Sequence, residues 1–178
     1  MLQWDAEVNK ADTLGVTPLH KAVTKKDKKA AELLISWKAD INAKTTKMVT
    51  PLHTAITNDD YETFELLIES KADVTSETEY GTTPLHKVIT KGEQFAKLLL
   101  EESADPNHQD KQGKTPLHIA VVSKRNELVK LLLDHKADCL VRDKQSATPY
   151  SLANKTKNKE VVHLFDAAPP DPEGEESD

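Results

Sequence analysis

The chain has 178 residues, of which 37% are hydrophobic and only 4% aromatic, and its formal net charge is −6. A core of this composition must be built from Leu, Ile, Val and Ala, which suits stacked helices better than one thick globule. Nucleic-acid binding usually needs a net basic footprint, which is missing here, so no nucleic acid is expected as a partner.

The single cysteine and the N-terminal sequence bear on the compartment. With Cys139 alone no intramolecular disulfide can form, which fits a reducing compartment. Residues 1–5 lack the basic start and apolar run of a signal peptide, and no stretch approaches the roughly 18 apolar residues of a membrane span. We expect a monomer in the cytoplasm, with the nucleus as an alternative location.

A four-residue motif recurs in register along the chain. Thr-Pro-Leu-His begins at Thr17, Thr50, Thr83 and Thr115, and an altered copy, Thr-Pro-Tyr-Ser, begins at Thr148. The spacings are 33, 33, 32 and 33 residues, which predicts an array of stacked supersecondary units. Each threonine can cap a helix, and the proline after it needs no N–H partner at the first helical position.

The copy that begins at Thr50 shows the predicted elements in order. Leu52, Ala55 and Ile56 fall on one face of a first helix, and residues 58–60 interrupt the pattern. A second helix is predicted over residues 61–70, followed by a hairpin loop over residues 74–82. The second helices of the first four copies each carry an apolar core, at residues 33–35, 66–68, 98–100 and 131–133.

These features resemble the ankyrin repeat family over about residues 6–167. The resemblance rests on the Thr-Pro-Leu-His copies, the paired leucines of the second helices, and an Ala-Asp dipeptide at 39–40, 72–73, 104–105 and 137–138. It implies an all-α solenoid of stacked helix-turn-helix units with projecting hairpin loops. It also implies that the chain binds a partner protein of unknown identity and is not an enzyme.

The period and the resemblance divide the chain into seven segments. These are the remnant of a preceding repeat (1–16), four ankyrin repeats (17–49, 50–82, 83–114 and 115–147), a C-terminal capping repeat (148–168) and an acidic tail (169–178) predicted to be disordered. The repeat at 83–114 is one residue short. We expect the missing residue near residues 93–95, so that the second helix starts late or shifts.

Family repeats usually carry glycine at two positions that this chain mostly fills otherwise. Before each Ala-Asp it has Lys38, Lys71, Ser103 and Lys136, and between the helices only Gly92 retains glycine. A non-glycine residue at positive φ costs roughly 1–2 kcal/mol, so the array should be less stable than one with glycine there.

Four histidines in register could suggest a metal site. Equivalent residues in stacked repeats lie about 8–10 Å apart, too far for two nitrogens to reach one zinc ion at about 2.0–2.1 Å. A structural role is therefore predicted, with hydrogen bonds between repeats implied by the resemblance. Cys139 has no evident base beside it. We expect no metal, no cofactor and no catalytic residue.

The resemblance implies a contact surface made of the hairpin tips and the exposed face of the first helices. Side chains there change character between repeats, so the fold does not require them. The predicted partner-binding residues are Trp4, Leu14, Trp37, Lys47, Thr57, Asn58, Tyr80, Lys91, Lys111, Gln112 and Lys144. Trp4 and Trp37 occupy the same repeat position and either anchor the partner or cover the N-terminal core, with Trp37 shielding Ala30 and Ala31.

Two narrower functions and one modification stay open. The acidic tail is similar to that of ankyrin-type inhibitors of transcription factors. The truncated first segment instead favours a targeting module, or a fragment of a larger enzyme or channel, and leaves the completeness of the chain open. Asn42, after Asp40-Ile41, resembles the hairpin asparagines that asparaginyl hydroxylases modify in the family. Asn107 is a poorer target because Pro106 stiffens its loop.

Overall fold

The computed structural model describes residues 7–167 and divides the chain into two compact units, Met1–Ala104 (unit 1) and Asp105–Asp178 (unit 2). Unit 1 contains the helices α1 (Pro18–Thr24), α2 (Lys28–Ser36), α3 (Pro51–Thr57), α4 (Tyr61–Glu69), α5 (Pro84–Val88) and α6 (Glu93–Glu101). Unit 2 contains α7 (Pro116–Val122), α8 (Asn126–Asp134), α9 (Pro149–Lys155) and α10 (Lys159–Ala167). No β-strand occurs among the described residues.

A threonine is the N-cap of the first helix in every repeat, as the motif predicts. The Thr17 side chain accepts a hydrogen bond from the backbone N–H of His20, and the Thr17 N–H donates to the His20 ring. Both bonds recur at Thr50 and Thr115, and at Thr148 a serine side chain takes the place of the histidine ring. These caps satisfy N–H groups that a helix start otherwise leaves without a partner.

Unit 1 buries the apolar faces of its helices between neighbouring repeats. The first helices α1, α3 and α5 stack in sequence, and α2 packs on α4. Leu52, Ala55 and Ile56 of α3 are fully buried, which confirms the predicted face. Phe64 of α4 and Phe95 of α6 fill the space between their repeats, with ring centroids 4.9 Å apart.

Unit 2 repeats this arrangement with two helix pairs. Helix α7 packs on α9, and α8 packs on α10. Leu117 and Val121 of α7 are fully buried, and so are Leu132 of α8 and Val161 of α10. The C-terminal repeat therefore shares the core of the repeat before it.

The predicted core of the first complete repeat is wrong in one respect. Leu33 is 49% exposed, and Leu34 and Ile35 are half-buried, whereas Ala31 is the buried residue of α2. Helix α2 stacks on α4 on one side. Among the described residues before α1, only Val8 belongs to the buried hydrophobic core.

The prediction for the short repeat is also wrong. Helix α6 keeps nine residues like the other second helices, while α5 has five residues where the equivalent helices have seven. The missing residue is thus absorbed between the first and second helices. Gly92 consequently becomes the N-cap of α6 with φ −120°, and not the left-handed turn residue that the sequence suggested.

Left-handed backbone at the ends of the second helices is confirmed. Lys38, Lys71, Ser103 and Lys136 have φ between 64° and 66°. At the end of α4, Lys71 N donates to the Ile68 carbonyl and Ala72 N to the Leu67 carbonyl, both over 2.9 Å. This pair of bonds is the helix-ending motif in which glycine is preferred.

Replacing Lys71 by glycine is expected to stabilise the protein by up to about 1 kcal/mol, because glycine adopts positive φ without a Cβ penalty. The ion pair lost with Glu102, 3.8 Å long and exposed, contributes little. The denaturant midpoint should rise for Lys71→Gly and also for Lys38→Gly, which breaks no ion pair among the described residues. Unchanged or lower midpoints for both variants would contradict this account.

Candidate recognition surface

Two of the recurring histidines connect a first helix to the next hairpin. The Nε2 atom of His20 lies 3.0 Å from the Val49 carbonyl, and that of His118 lies 3.1 Å from the Ala147 carbonyl. A carbonyl can only accept, so these Nε2 atoms carry the proton. The carbonyl of Thr82 faces His53 in the same way, although His53 Nε2 has no hydrogen-bond partner within reach. These contacts give the histidines a structural role.

The hairpin tips of unit 1 are short closed turns that stand side by side. Each turn is closed by two backbone hydrogen bonds, as between Thr78 and Thr82 and between Gly81 and Thr78. The Thr46 N–H donates to the Leu14 carbonyl over 2.9 Å, and the Glu79 N–H donates to the Lys47 carbonyl over 3.1 Å. The three tips are thereby held in register.

Exposed apolar side chains occupy these tips. Leu14 is 62% exposed, Tyr80 66% and Met48 42%. Met48 has φ 59° at a position where the neighbouring tips have Gly15 and Gly81. We call Leu14, Lys47, Met48 and Tyr80 the tip row.

The tips of unit 2 are polar. Lys144 N donates to the Gln112 carbonyl over 2.9 Å, which pairs the two tips of this unit. The side chains of Lys111, Gln112 and Lys144 are all exposed.

On the first helices of unit 1, two of the predicted contact residues also serve the fold. Asn58 Nδ2 donates to the carbonyls of Val23 and Thr24 at the end of α1, over 3.2 and 3.3 Å. Lys91 Nζ donates to the Thr57 carbonyl at the end of α3 over 3.0 Å. Each of these side chains caps the preceding first helix, a position that favours a cation or an N–H donor.

The helix pairs, the threonine caps and the hairpins together match a known repeat. Family models for ankyrin repeats match residues 1–78, 52–143 and 85–167. The chain belongs to the ankyrin repeat family. Ankyrin repeats are generally protein–protein interaction modules and are typically non-catalytic. No curated protein matches the chain in sequence.

Among residues 7–167 no helix has the length and apolarity to cross a membrane, and no group of three or more His, Cys, Asp and Glu side chains could hold a metal ion. Burial and the negative charge of Asp138 raise the pKa of the Cys139 thiol, which disfavours its thiolate form.

Only one of the two tryptophans lies among the described residues. Trp4 lies outside the described residues. Trp37 is the C-cap of α2 and is 57% exposed, so it stands at the end of a second helix and not on a tip or a first helix.

Asn42 connects its hairpin to the next one. Its side-chain oxygen accepts a hydrogen bond of 2.8 Å from the Asp73 N–H, and its own N–H donates to Asp40. Asn107 makes the equivalent bond to Asp138 N over 2.7 Å. Both asparagines are half-buried.

We expect Asn42 to be hydroxylated in a host that contains an asparaginyl hydroxylase. Mass spectrometry of the native protein should find the mass of one added oxygen on the peptide that contains Asn42. The Asn107 peptide is the internal control and should stay largely unmodified. Only unmodified Asn42 in such a host would remove the prediction.

The predicted partner-binding residues do not include Met48, Lys21 or Lys87, although the sequence carries a signal for each of them. Met48 takes the place of a tip glycine in the repeat alignment, which marks an unusual residue at a left-handed position. Lys21 and Lys87 recur at one position of the first helix, 66 residues apart, and that recurrence indicates a shared surface.

Proposed function

We propose that this ankyrin repeat chain is a non-catalytic module that binds a partner protein through its hairpin tips and the exposed face of its first helices. The tip row is the observation that carries the proposal. Leu14 and Tyr80 are among the most exposed large hydrophobic side chains of the described residues, yet backbone hydrogen bonds hold the tips that bear them and Met48 in a fixed arrangement.

Met48 adds an energetic argument. A non-glycine residue at positive φ costs roughly 1–2 kcal/mol, and a methionine that is 42% exposed regains little of this by burial. Methionine adapts its shape to a partner surface, and contiguous exposed apolar groups mark interaction sites. Binding would bury Leu14, Met48 and Tyr80 together and so offset their exposure in the free protein.

Tyr80→Ala is expected to weaken partner binding at least tenfold, equal to about 1.4 kcal/mol, because tyrosine is enriched among binding hot spots. The affinity of the purified partner, first captured from a lysate of the source organism, is the measurement. Glu62→Ala is the control, since Glu62 is exposed but lies on the second helix α4, whereas the predicted contact residue Trp37 ends α2. Equal losses for both variants, or none for Tyr80→Ala, would contradict the proposal.

The same measurement applied to Trp37 separates its two interpretations. If Trp37 is a contact residue, Trp37→Ala should leave the folded fraction nearly unchanged and weaken partner binding at least tenfold. If the variant unfolds while its folded fraction keeps full affinity, Trp37 is a core residue and the partner surface lies elsewhere.

Two narrower roles rest on the sequence alone. Inhibition of a transcription factor would depend on the acidic tail, which lies outside the described residues. Deletion of residues 169–178 should then abolish partner binding, whereas the tip-row mechanism predicts that binding persists. A role as the targeting module of a larger enzyme or channel would be supported if a longer reading frame encodes the chain.

A further inference from the structure

The first helices of unit 1 are free of acidic residues. Helices α1, α3 and α5 contain no Asp or Glu. Lysines occupy two positions one helical turn apart in the first and third complete repeats: Lys21 with Lys25, and Lys87 with Lys91. The middle repeat has Thr54 and Asn58 at these positions. We call this set of six residues the basic face.

Among the residues of the basic face, Lys87 gives the strongest indication that an anion binds there. It is half-buried and forms no ion pair with any described residue. Burial and the neighbouring charge of Lys91 lower its pKa, and Lys87 in turn contributes to the lowered pKa of His53. A partly desolvated ammonium beside a second cation is costly unless an anion approaches it.

The carboxylates of unit 1 lie mainly elsewhere. Second helices α4 and α6 carry Glu62, Glu65, Glu69, Glu93 and Glu101. On the first-helix side, Lys21 pairs with Asp12 of the first hairpin over 3.6 Å, and because both side chains are exposed the pair is weak. The first helices of unit 1 therefore carry lysines without carboxylates, although Asp27 and Asp59 lie in the turns that follow α1 and α3 and the chain as a whole is acidic.

We infer that the basic face binds an acidic, extended peptide segment of the partner. This inference rests on the proposed function and specifies the chemistry of the partner. Two carboxylates or carboxylate pairs would lie against the lysines of the first and third repeats, and a neutral stretch would cross Thr54 and Asn58. Complementary charge of this kind provides specificity and fast association.

The repeat spacing sets the spacing of the acidic groups. Neighbouring helices pack about 8–10 Å apart, so lysines two repeats apart are separated by roughly 16–20 Å. An extended chain advances about 3.3 Å per residue. The acidic positions of the peptide should therefore be about five or six residues apart. This spacing distinguishes the expected peptide from one with an uninterrupted run of acidic residues.

Selection from a random library of displayed peptides of about 16 residues, on the immobilised full chain, tests the inference. The selected peptides should be enriched in Asp or Glu at two positions five or six residues apart. Their synthetic, fluorescein-labelled versions should bind at least tenfold more weakly to Lys87→Gln/Lys91→Gln than to the native chain. Binding should also weaken steeply as salt rises.

Matched variants keep the test independent of folding. Lys29→Gln/Lys97→Gln removes the same charge from second helices and should leave peptide binding unchanged. Lys25→Gln, at an exposed residue, should weaken binding in the same direction as the Lys87 variant, and urea midpoints show which variants are folded. Selected peptides that are neutral or basic, or acidic peptides that ignore the Lys25 and Lys87 variants, would overturn the inference.

Three further outcomes would overturn the assignment of the basic face to an acidic partner peptide. If Tyr80→Ala abolishes peptide binding while the lysine variants have no effect, the proposed function stands and the acidic partner falls. If deletion of residues 169–178 raises peptide affinity tenfold or more, the basic face holds the chain's own acidic tail and the partner assignment is overturned. Tight binding of a labelled oligouridylate probe with no acidic peptide selected would assign the face to nucleic acid and overturn it as well.

Discussion

Lowering the pH from 7 to 4 is expected to reduce the free energy of unfolding by about 3 kcal/mol through His53 alone. Burial within its repeat lowers the pKa of His53 from 6.5 to about 4, with a further contribution from the positive charge of Lys87. The native state therefore keeps the ring neutral over a range in which the unfolded chain takes up a proton.

The direction of the effect follows from that difference. Above pH 6.5 the His53 ring is mainly neutral in both the folded and the unfolded state, so protonation of this ring does not lower the free energy of unfolding there. As the pH falls from 6.5 towards 4, the unfolded state binds the proton first, so stability is lost over this window. Burial also lowers the pKa of His20 and His118, and both residues add to the loss.

Urea unfolding at half-unit steps from pH 7 to pH 4 measures the effect. His53→Gln should be less stable than the native chain at pH 7, because it loses the ring bonded to Thr50, but its stability should fall less steeply with pH. His163→Gln, at an exposed position on α10, is the control and should retain the native pH slope. Parallel slopes for the His53 variant and the native chain would refute the assignment.

Phe64→Ala is expected to destabilise the protein by about 3–5 kcal/mol, the usual effect of deleting a buried phenylalanine. The Phe64 ring is fully buried between two repeats. It lies 4.9 Å from the Phe95 ring and 5.9 Å from the Tyr61 ring, measured between centroids. Removing it leaves a cavity and takes an aromatic contact away from both neighbours.

The denaturant midpoint again provides the measurement. Leu33→Ala, on the exposed side of α2, should change stability by less than about 1 kcal/mol, so the two variants contrast one core and one surface position. A loss below about 1 kcal/mol for Phe64→Ala would mean that the stacking between these repeats contributes little to stability.

Local signals explain why much of the fold could be predicted from the sequence. The threonine caps, the proline at the first helical position and the replaced glycines at Lys38 and Lys71 act within a few residues, so their structural consequences follow from the repeat alone. The errors arose where neighbouring elements decide the outcome. In the short third repeat, Gly92 is the N-cap of α6. In α2, Ala31 is buried and Leu33 is exposed, and this depends on how α2 packs against α4.

The candidate surface was less accessible to sequence reasoning. Position in the repeat was enough to predict that Leu14 and Tyr80 would be exposed. The helix-capping bonds of Asn58 and Lys91 depend on the distance between stacked repeats, and that distance is not encoded in one repeat. The half-burial of Lys87 likewise results from packing between repeats.

Site-specific photo-crosslinking tests the central claim most directly. A photoreactive phenylalanine analogue is placed at Tyr80 on the tip row, or at the exposed Glu62 on the second helix α4 as the control, and the chain is irradiated in a lysate of its source organism. A defined protein adduct that an excess of native chain competes away is expected from position 80, and no such adduct from position 62. An adduct from position 62 alone would place the partner on a second helix and contradict the proposed recognition surface.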